Sequence, residues 1–155
     1  MKKKIVIAAD HGGFELKNIL VEWLKKEGHT VIDQGTNSKE SVDYPDYARA
    51  VATAISTGEA TEGILICSSG VGMSIAANRF PGIRASLCYN EEIAVHTRMH
   101  NLSNVICLGA HYVSEDEAKK ITSAWLKTKH GKKDRYIKRA FLIDEYSAPR
   151  CSGCF

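Results

Sequence analysis

The sequence has little of what most specialised classes of protein require. After Lys2, Lys3 and Lys4 come only five apolar residues in a row, Ile5 to Ala9, before Asp10 and His11. A secretory signal core or a membrane span needs more than that, so the expectation is a cytoplasmic protein with no membrane segment. Charge of one sign is also scarce. The 21 basic and 18 acidic side chains leave a formal charge of +3, spread along the chain apart from the lysine start and a patch at residues 132–139. That field is too weak to point to nucleic acid. Cysteine is sparse and odd in number: five, at positions 67, 88, 107, 151 and 154, in no disulfide pattern, which fits a reducing compartment. The pair Cys151 and Cys154 has no second pair to complete a four-ligand zinc site, and it reads as an inert tail. No metal and no cofactor are expected. Internal repeats and low-complexity segments are lacking as well.

What is present is ordinary globular material. Hydrophobic residues make up 44% and charged residues 25% of 155 positions, the usage of a folded domain and not of a disordered or fibrous chain. A chain of this size can bury roughly 70% of its unfolded surface. One domain over residues 1–148 is expected, followed by a tail at 149–155.

Strand-like and helix-like runs alternate along the whole length, the pattern of an α/β domain with a parallel sheet. Strands are predicted at 4–9, 30–33, 63–67, 83–87 and 105–108. Leu16, Ile19, Leu20, Trp23 and Leu24 recur at helical spacing and stop at Gly28. Further helices are predicted after Pro45 to about Gly58, over 73–78, 91–99 and 115–127, and over 134–146. Five parallel strands with helices between them predict a three-layer α/β/α, Rossmann-like sheet in the flavodoxin-like order 2-1-3-4-5. In that order the carboxyl ends of strands one and three open into one crevice, bringing Asp10, His11 and Cys67 face to face.

The loop Cys67-Ser-Ser-Gly-Val-Gly72 joins a buried strand to a helix, so its backbone N–H groups can face an anion. It lacks the Lys-Ser/Thr ending of a P-loop, and it is not the dinucleotide fingerprint of a first βα turn. A cysteine at such a helix start is readily turned into a thiolate that acts as nucleophile or base. Cys88 and Cys107 read as inert strand cysteines. Arg135 and Arg139, four apart, share one face of the last helix.

The strings ADHGGFELK, DYPDYA and GILICSSGVGMSIAANRFPGIRA, with the pair His100-Asn101, resemble the superfamily of type B ribose-5-phosphate isomerases and galactose-6-phosphate isomerases, over residues 3–145. The resemblance implies a cofactor-free aldose–ketose isomerase of the pentose phosphate pathway, interconverting ribose 5-phosphate and ribulose 5-phosphate through an enediolate. Cys67 matches the base. Some relatives carry a Glu where this chain has Met73, which places this chain among the cysteine users. Ser69 matches the hydroxyl that moves a proton between the two oxygens. Gly70, Val71, Gly72, Met73 and Ser74 match a backbone anion hole. Asp10 and His100 match the residues that open the furanose ring, a task for general acids and bases. Tyr44 and Asn101 match sugar contacts, and His11, Arg135 and Arg139 match phosphate contacts. His111 stands where many relatives carry Arg; its charge would vanish above roughly pH 6.5 if unperturbed.

Allose 6-phosphate or galactose 6-phosphate is the alternative substrate. Galactose-type relatives pair unlike subunits, whereas this single chain holds base, ring-opening residues and arginines, which favours a homomeric ribose 5-phosphate enzyme. A non-catalytic phosphosugar-binding module would need the arginines but not Cys67, Asp10 and His100 together. The resemblance also implies a homodimer or tetramer with active sites shared between subunits. A helix beyond the fifth strand would otherwise have to reach back across two strand spacings, roughly 10 Å, to meet a sugar in the crevice.

Overall fold

The structure is a computed structural model that describes residues 2–147. The tail with Cys151 and Cys154 lies outside the described residues. Strand β1 (Lys4–Ala9) runs into a single 3-10 turn at His11–Gly13 and then helix α1 (Phe14–Lys26). There follow β2 (Thr30–Asp33), α2 (Tyr44–Ser56), β3 (Glu62–Cys67), α3 (Val71–Ala77) and β4 (Ala85–Leu87). The chain continues through α4 (Glu91–His100), β5 (Val105–Gly109), α5 (Glu115–Lys127) and α6 (Asp134–Ser147).

Local chemistry sets these boundaries. Asp10 caps the 3-10 turn, its Oδ1 accepting from the Gly13 amide at 3.1 Å. Asn90 caps α4 by accepting from Ile93, and Ser114 with Glu117 forms a reciprocal capping box on α5. Pro45 sits in the first turn of α2, where its missing N–H costs nothing.

All strand pairs are parallel, and the sheet order is β2-β1-β3-β5-β4. The five-stranded parallel α/β sheet is as expected, but the last two strands are exchanged relative to 2-1-3-4-5. The reason is burial. β5 is covered at all five positions, as a central parallel strand must be, whereas β4 is three half-buried residues suited to an edge. Ile83 and Arg84 fall before the strand, where the Arg84 amide bonds the Asn104 side chain at 2.8 Å.

Alternate strand residues feed two core layers. Ile5, Ile7, Ile64, Ile66, Ile106 and Leu108 pack under α1, α4 and α5, while Val6, Ala8, Leu65, Val105 and Cys107 pack under α2 and α3. Each fully buried Ile or Leu side chain contributes about 1.5–3 kcal/mol. Trp125 is fully buried and donates from its indole to Ser103 Oγ at 2.8 Å. No helix among the described residues is long and apolar enough to cross a membrane.

Helix α6 stands apart from these layers. It touches the body through Tyr136, stacked on His100, and through Asp144, which receives Arg84 Nη1 at 2.8 and 3.0 Å. Ile137, Phe141 and Tyr146 remain exposed, Phe141 at 69%.

Candidate active site

The predicted site residues gather in two groups. The first lies at the carboxyl ends of β1, β3 and β5. Cys67 closes β3 and is 5% exposed; its Sγ accepts the Gly70 N–H at 3.0 Å, so a backbone dipole points at the sulfur. Gly70 can make this contact because it takes a left-handed conformation, φ 77°, that strains any other residue. A Cβ there would also lie 2.5 Å from Leu87 and 2.9 Å from the Leu108 carbonyl carbon.

The β1 turn packs directly on this loop, since a Cβ at Gly12 would fall 2.2 Å from Ser68 Oγ and 3.3 Å from Asp10 Oδ1. Asp10 is 7% exposed, with its carboxylate held by the Gly13 amide. His11 Nδ1 accepts from the Val42 amide at 3.3 Å. Tyr44 lies with its ring against Gly72 at the start of α3. The His111 amide donates to Ser68 O at 3.0 Å, so His111 belongs to this group and not with the arginines.

Of the five amides expected to face an anion, three have an acceptor within the chain. The Gly70 amide serves Cys67, the Val71 amide bonds Ser69 Oγ at 3.3 Å, and the Ser74 amide bonds Gly70 O at 3.0 Å. Gly72 and Met73, in the first turn of α3, keep amides with no acceptor among the described residues. The Met73 side chain is fully buried in the core, so only its backbone can face a ligand.

The second group is His100, Asn101, Arg135 and Arg139. With His96, Tyr136, Ala140 and Ile143 they line a cavity of about 330 Å³ between the end of α4 and α6. Arg135 and Arg139 do share one helix face, and neither has a carboxylate partner among the described residues. Arg135 Nη2 donates to the Tyr136 hydroxyl at 3.1 Å, with its guanidinium 5.0 Å from that ring's centroid. The Tyr136 ring stacks on His100 at 4.5 Å, and His96 meets His100 edge-on at 3.9 Å. Partial desolvation, followed by His96, Arg135 and Lys133, holds the His100 imidazole below its ordinary range.

One chain does not bring the two groups together. Because β4 and β5 are parallel, α4 must return from the carboxyl edge to the amino edge. His100 therefore ends beside the start of the strands, next to Arg98, which bonds Glu62 at the first position of β3. Cys67 is the last position of that same six-residue strand, about 16 Å along the sheet from Glu62. Helix α6 therefore lies at the amino end of the β4 side of the sheet, and not beyond β5 as the sequence suggested.

Three participants escaped the sequence reading. His96 and Tyr136 flank His100, and the i, i+4 spacing of His96 and His100 was a visible signal. The Tyr89 hydroxyl donates to Ser69 O at 3.1 Å, which follows from the sheet order and has no signal in the sequence.

A crevice over the carboxyl ends of β1 and β3, at the point where strand order reverses, is where three-layer α/β enzymes bind small ligands. The ribose/galactose isomerase family matches residues 5–143, and the chain belongs to that family. It is 50% identical over 124 residues to ribose-5-phosphate isomerase B of Escherichia coli strain K12, covering 80% of this chain and 83% of that protein. The solved ribose-5-phosphate isomerase B of Clostridium thermocellum superposes with a TM-score of 0.90 at 46% identity, covering 92% of this chain and 96% of that one. D-erythrulose-4-phosphate isomerase of Pectobacterium atrosepticum is 41% identical, over 79% of this chain and 81% of that protein.

Proposed function

We propose that the chain interconverts ribose 5-phosphate and ribulose 5-phosphate in the cytoplasm, with Cys67 as the base, in a homo-oligomer whose active sites are shared between subunits. The observation that carries the chemistry is the convergence of Cys67, Asp10 and Ser69 with the free amides of Gly72 and Met73. The three described cysteines are all free thiols, which fits a reducing compartment.

Asp10 and His100 open the furanose, one taking the proton from the hydroxyl on C1 and the other giving a proton to the ring oxygen. The Cys67 thiolate then removes the proton from C2. The electron pair moves into the C1–C2 bond and negative charge develops on O1, which the Gly72 and Met73 amides are placed to meet. Such donors lower the barrier by about 3 to 4 kcal/mol each. Ser69 passes a proton between O1 and O2, and Cys67 returns its proton to C1, leaving the ketone at C2.

Sharing follows from the two groups lying at opposite edges of the sheet. A second copy that sets its α4 end and α6 over the crevice brings His100, Asn101, Arg135 and Arg139 of one chain to Cys67 of another. The exposed Phe141 and Tyr146 on α6 supply apolar surface for that contact.

The test is turnover of ribose 5-phosphate in buffer with excess chelator, followed by the same assay on allose 6-phosphate, galactose 6-phosphate and erythrulose 4-phosphate. The highest kcat/KM is expected for ribose 5-phosphate. A higher value for any of the others would reassign the substrate and leave the chemistry intact. No turnover of any would leave a phosphosugar-binding module.

A further inference from the structure

A cleft of about 660 Å³ opens at the amino edge of the sheet, between the C-terminal ends of α1 and α5. It is separate from the cavity that holds Arg135 and Arg139. Lys2, Lys3, Lys127, Lys129 and Arg98 line it, together with His29, His130 and, among the described residues, only two carboxylates, Glu27 and Glu62. Glu62 is already engaged by Lys3 at 2.5 Å and Arg98 at 2.7 Å. Lys2, Lys127 and Lys129 have no ion-pair partner among the described residues. The cleft thus concentrates positive charge in a chain whose net charge is small.

Two features mark it off from a scatter of surface lysines. Arg98 is 4% exposed, stacked 4.5 Å over the Trp125 ring, and its Nε is buried without a hydrogen-bond partner among the described residues. Both imidazoles are held below their ordinary range, by burial first and then by neighbouring cations. Lys3 is among the cations at His29, and Arg98 and Arg84 are those at His130. Glu62 pulls the other way at both, joined by Glu27 at His29 and by the Ser103 carbonyl at His130.

We propose that this cleft is a second anion site, one that takes the polyphosphate group of a small metabolite and is distinct from the substrate phosphate site. The free ammonium groups meet the phosphate oxygens as mobile point charges. Half-buried Trp23 forms part of the wall and offers a face for a planar ring. The floor is also where the chain entering β1, the start of β3 and the end of α4 meet; Asp10 follows β1, Cys67 ends β3 and His100 ends α4.

The measurement is calorimetric titration of the intact protein with inorganic tripolyphosphate and with ATP, without divalent metal, at about 0.15 M salt so that weak surface association is screened. Arg135→Ala/Arg139→Ala removes the substrate phosphate site from the background. Saturable binding should survive in that variant and weaken at least about tenfold in Lys127→Glu/Lys129→Glu. Lys127→Gln/Lys129→Gln serves if the reversals unfold the chain. Isomerase turnover without anion should stay within about twofold of wild type in both lysine variants. Binding should take up protons near pH 6.5, because a bound anion raises the pKa of both imidazoles. Equal affinity for the two ligands assigns recognition to the phosphates; tighter ATP binding that Trp23→Leu abolishes adds the ring. No saturable binding of either ligand in the arginine variant would overturn the proposal, as would an affinity unchanged by both lysine variants.

Discussion

The three described cysteines sit in different surroundings. Burial pushes the Cys88 thiol up to about 12 and raises Cys107 well above its ordinary value, so neither is a thiolate at neutral pH. Cys67 ends its strand against a Ser-Gly loop and receives the Gly70 amide. Cys67→Ala should lower kcat by more than about 10³ while substrate affinity by calorimetry stays within a few fold, since the thiol acts in proton transfer and little in ground-state binding. Activity within tenfold of wild type would sink the assignment. Alkylation of Cys67 should be slowed by bound substrate. For His100, whose pKa is lowered in the folded chain, the neutral form prevails at pH 7 and the acid limb of kcat/KM should fall below about 6.5. His96→Gln removes one of the positive influences on that ring, so the limb should move to higher pH. An unmoved limb would mean that His96 does not act on His100.

At the level of elements, the β3–α3 junction depends on one backbone conformation. Gly70→Ala would put a Cβ at positive φ and into Leu87 and the Leu108 backbone. A loss of about 1–3 kcal/mol in denaturant unfolding is expected, with kcat falling more than KM rises, because the loop that holds the Cys67 sulfur is displaced. Unfolding within error of wild type would show that the junction relaxes freely. Helix α6 makes a complementary case: Arg135→Ala and Arg139→Ala should each raise KM at least about tenfold without shifting Tm, since both residues are exposed and lack carboxylate partners among the described residues. Unchanged KM in both would return them to a solvated basic face.

At the scale of the whole molecule, the two groups of candidate site residues lie at opposite edges of one sheet. Mixing a Cys67→Ala chain with an Arg135→Ala/Arg139→Ala chain under subunit exchange should restore part of the activity, because one of the hybrid sites has every residue intact. Confirmed exchange with no recovery would place the site within one chain. Phe141→Asp, which charges the exposed α6 face, should shift the protein toward monomer in sedimentation and lower turnover in parallel.

Much of this was legible in the residues, because it depends on spacing and local chemistry. The alternation of elements, the stop of α1 near Gly28, the facing of Asp10 and Cys67, and the shared face of Arg135 and Arg139 follow from periods of 2 and 3.6, from a glycine stop and from the first βα turns. The order of the last two strands was not legible. Ile83 to Leu87 and Val105 to Leu108 look alike along the chain, and only competition for the buried central position puts β5 beside β3. Which amides of the Gly70–Ser74 loop stay without a protein acceptor is likewise tertiary, since it depends on where each one finds a partner. So is the placement of His100 and the arginines. A parallel sheet sends each helix back to the amino edge, and this return, not the reach across strands expected from the sequence, is what sets His100 and the arginines apart from Cys67 within one chain.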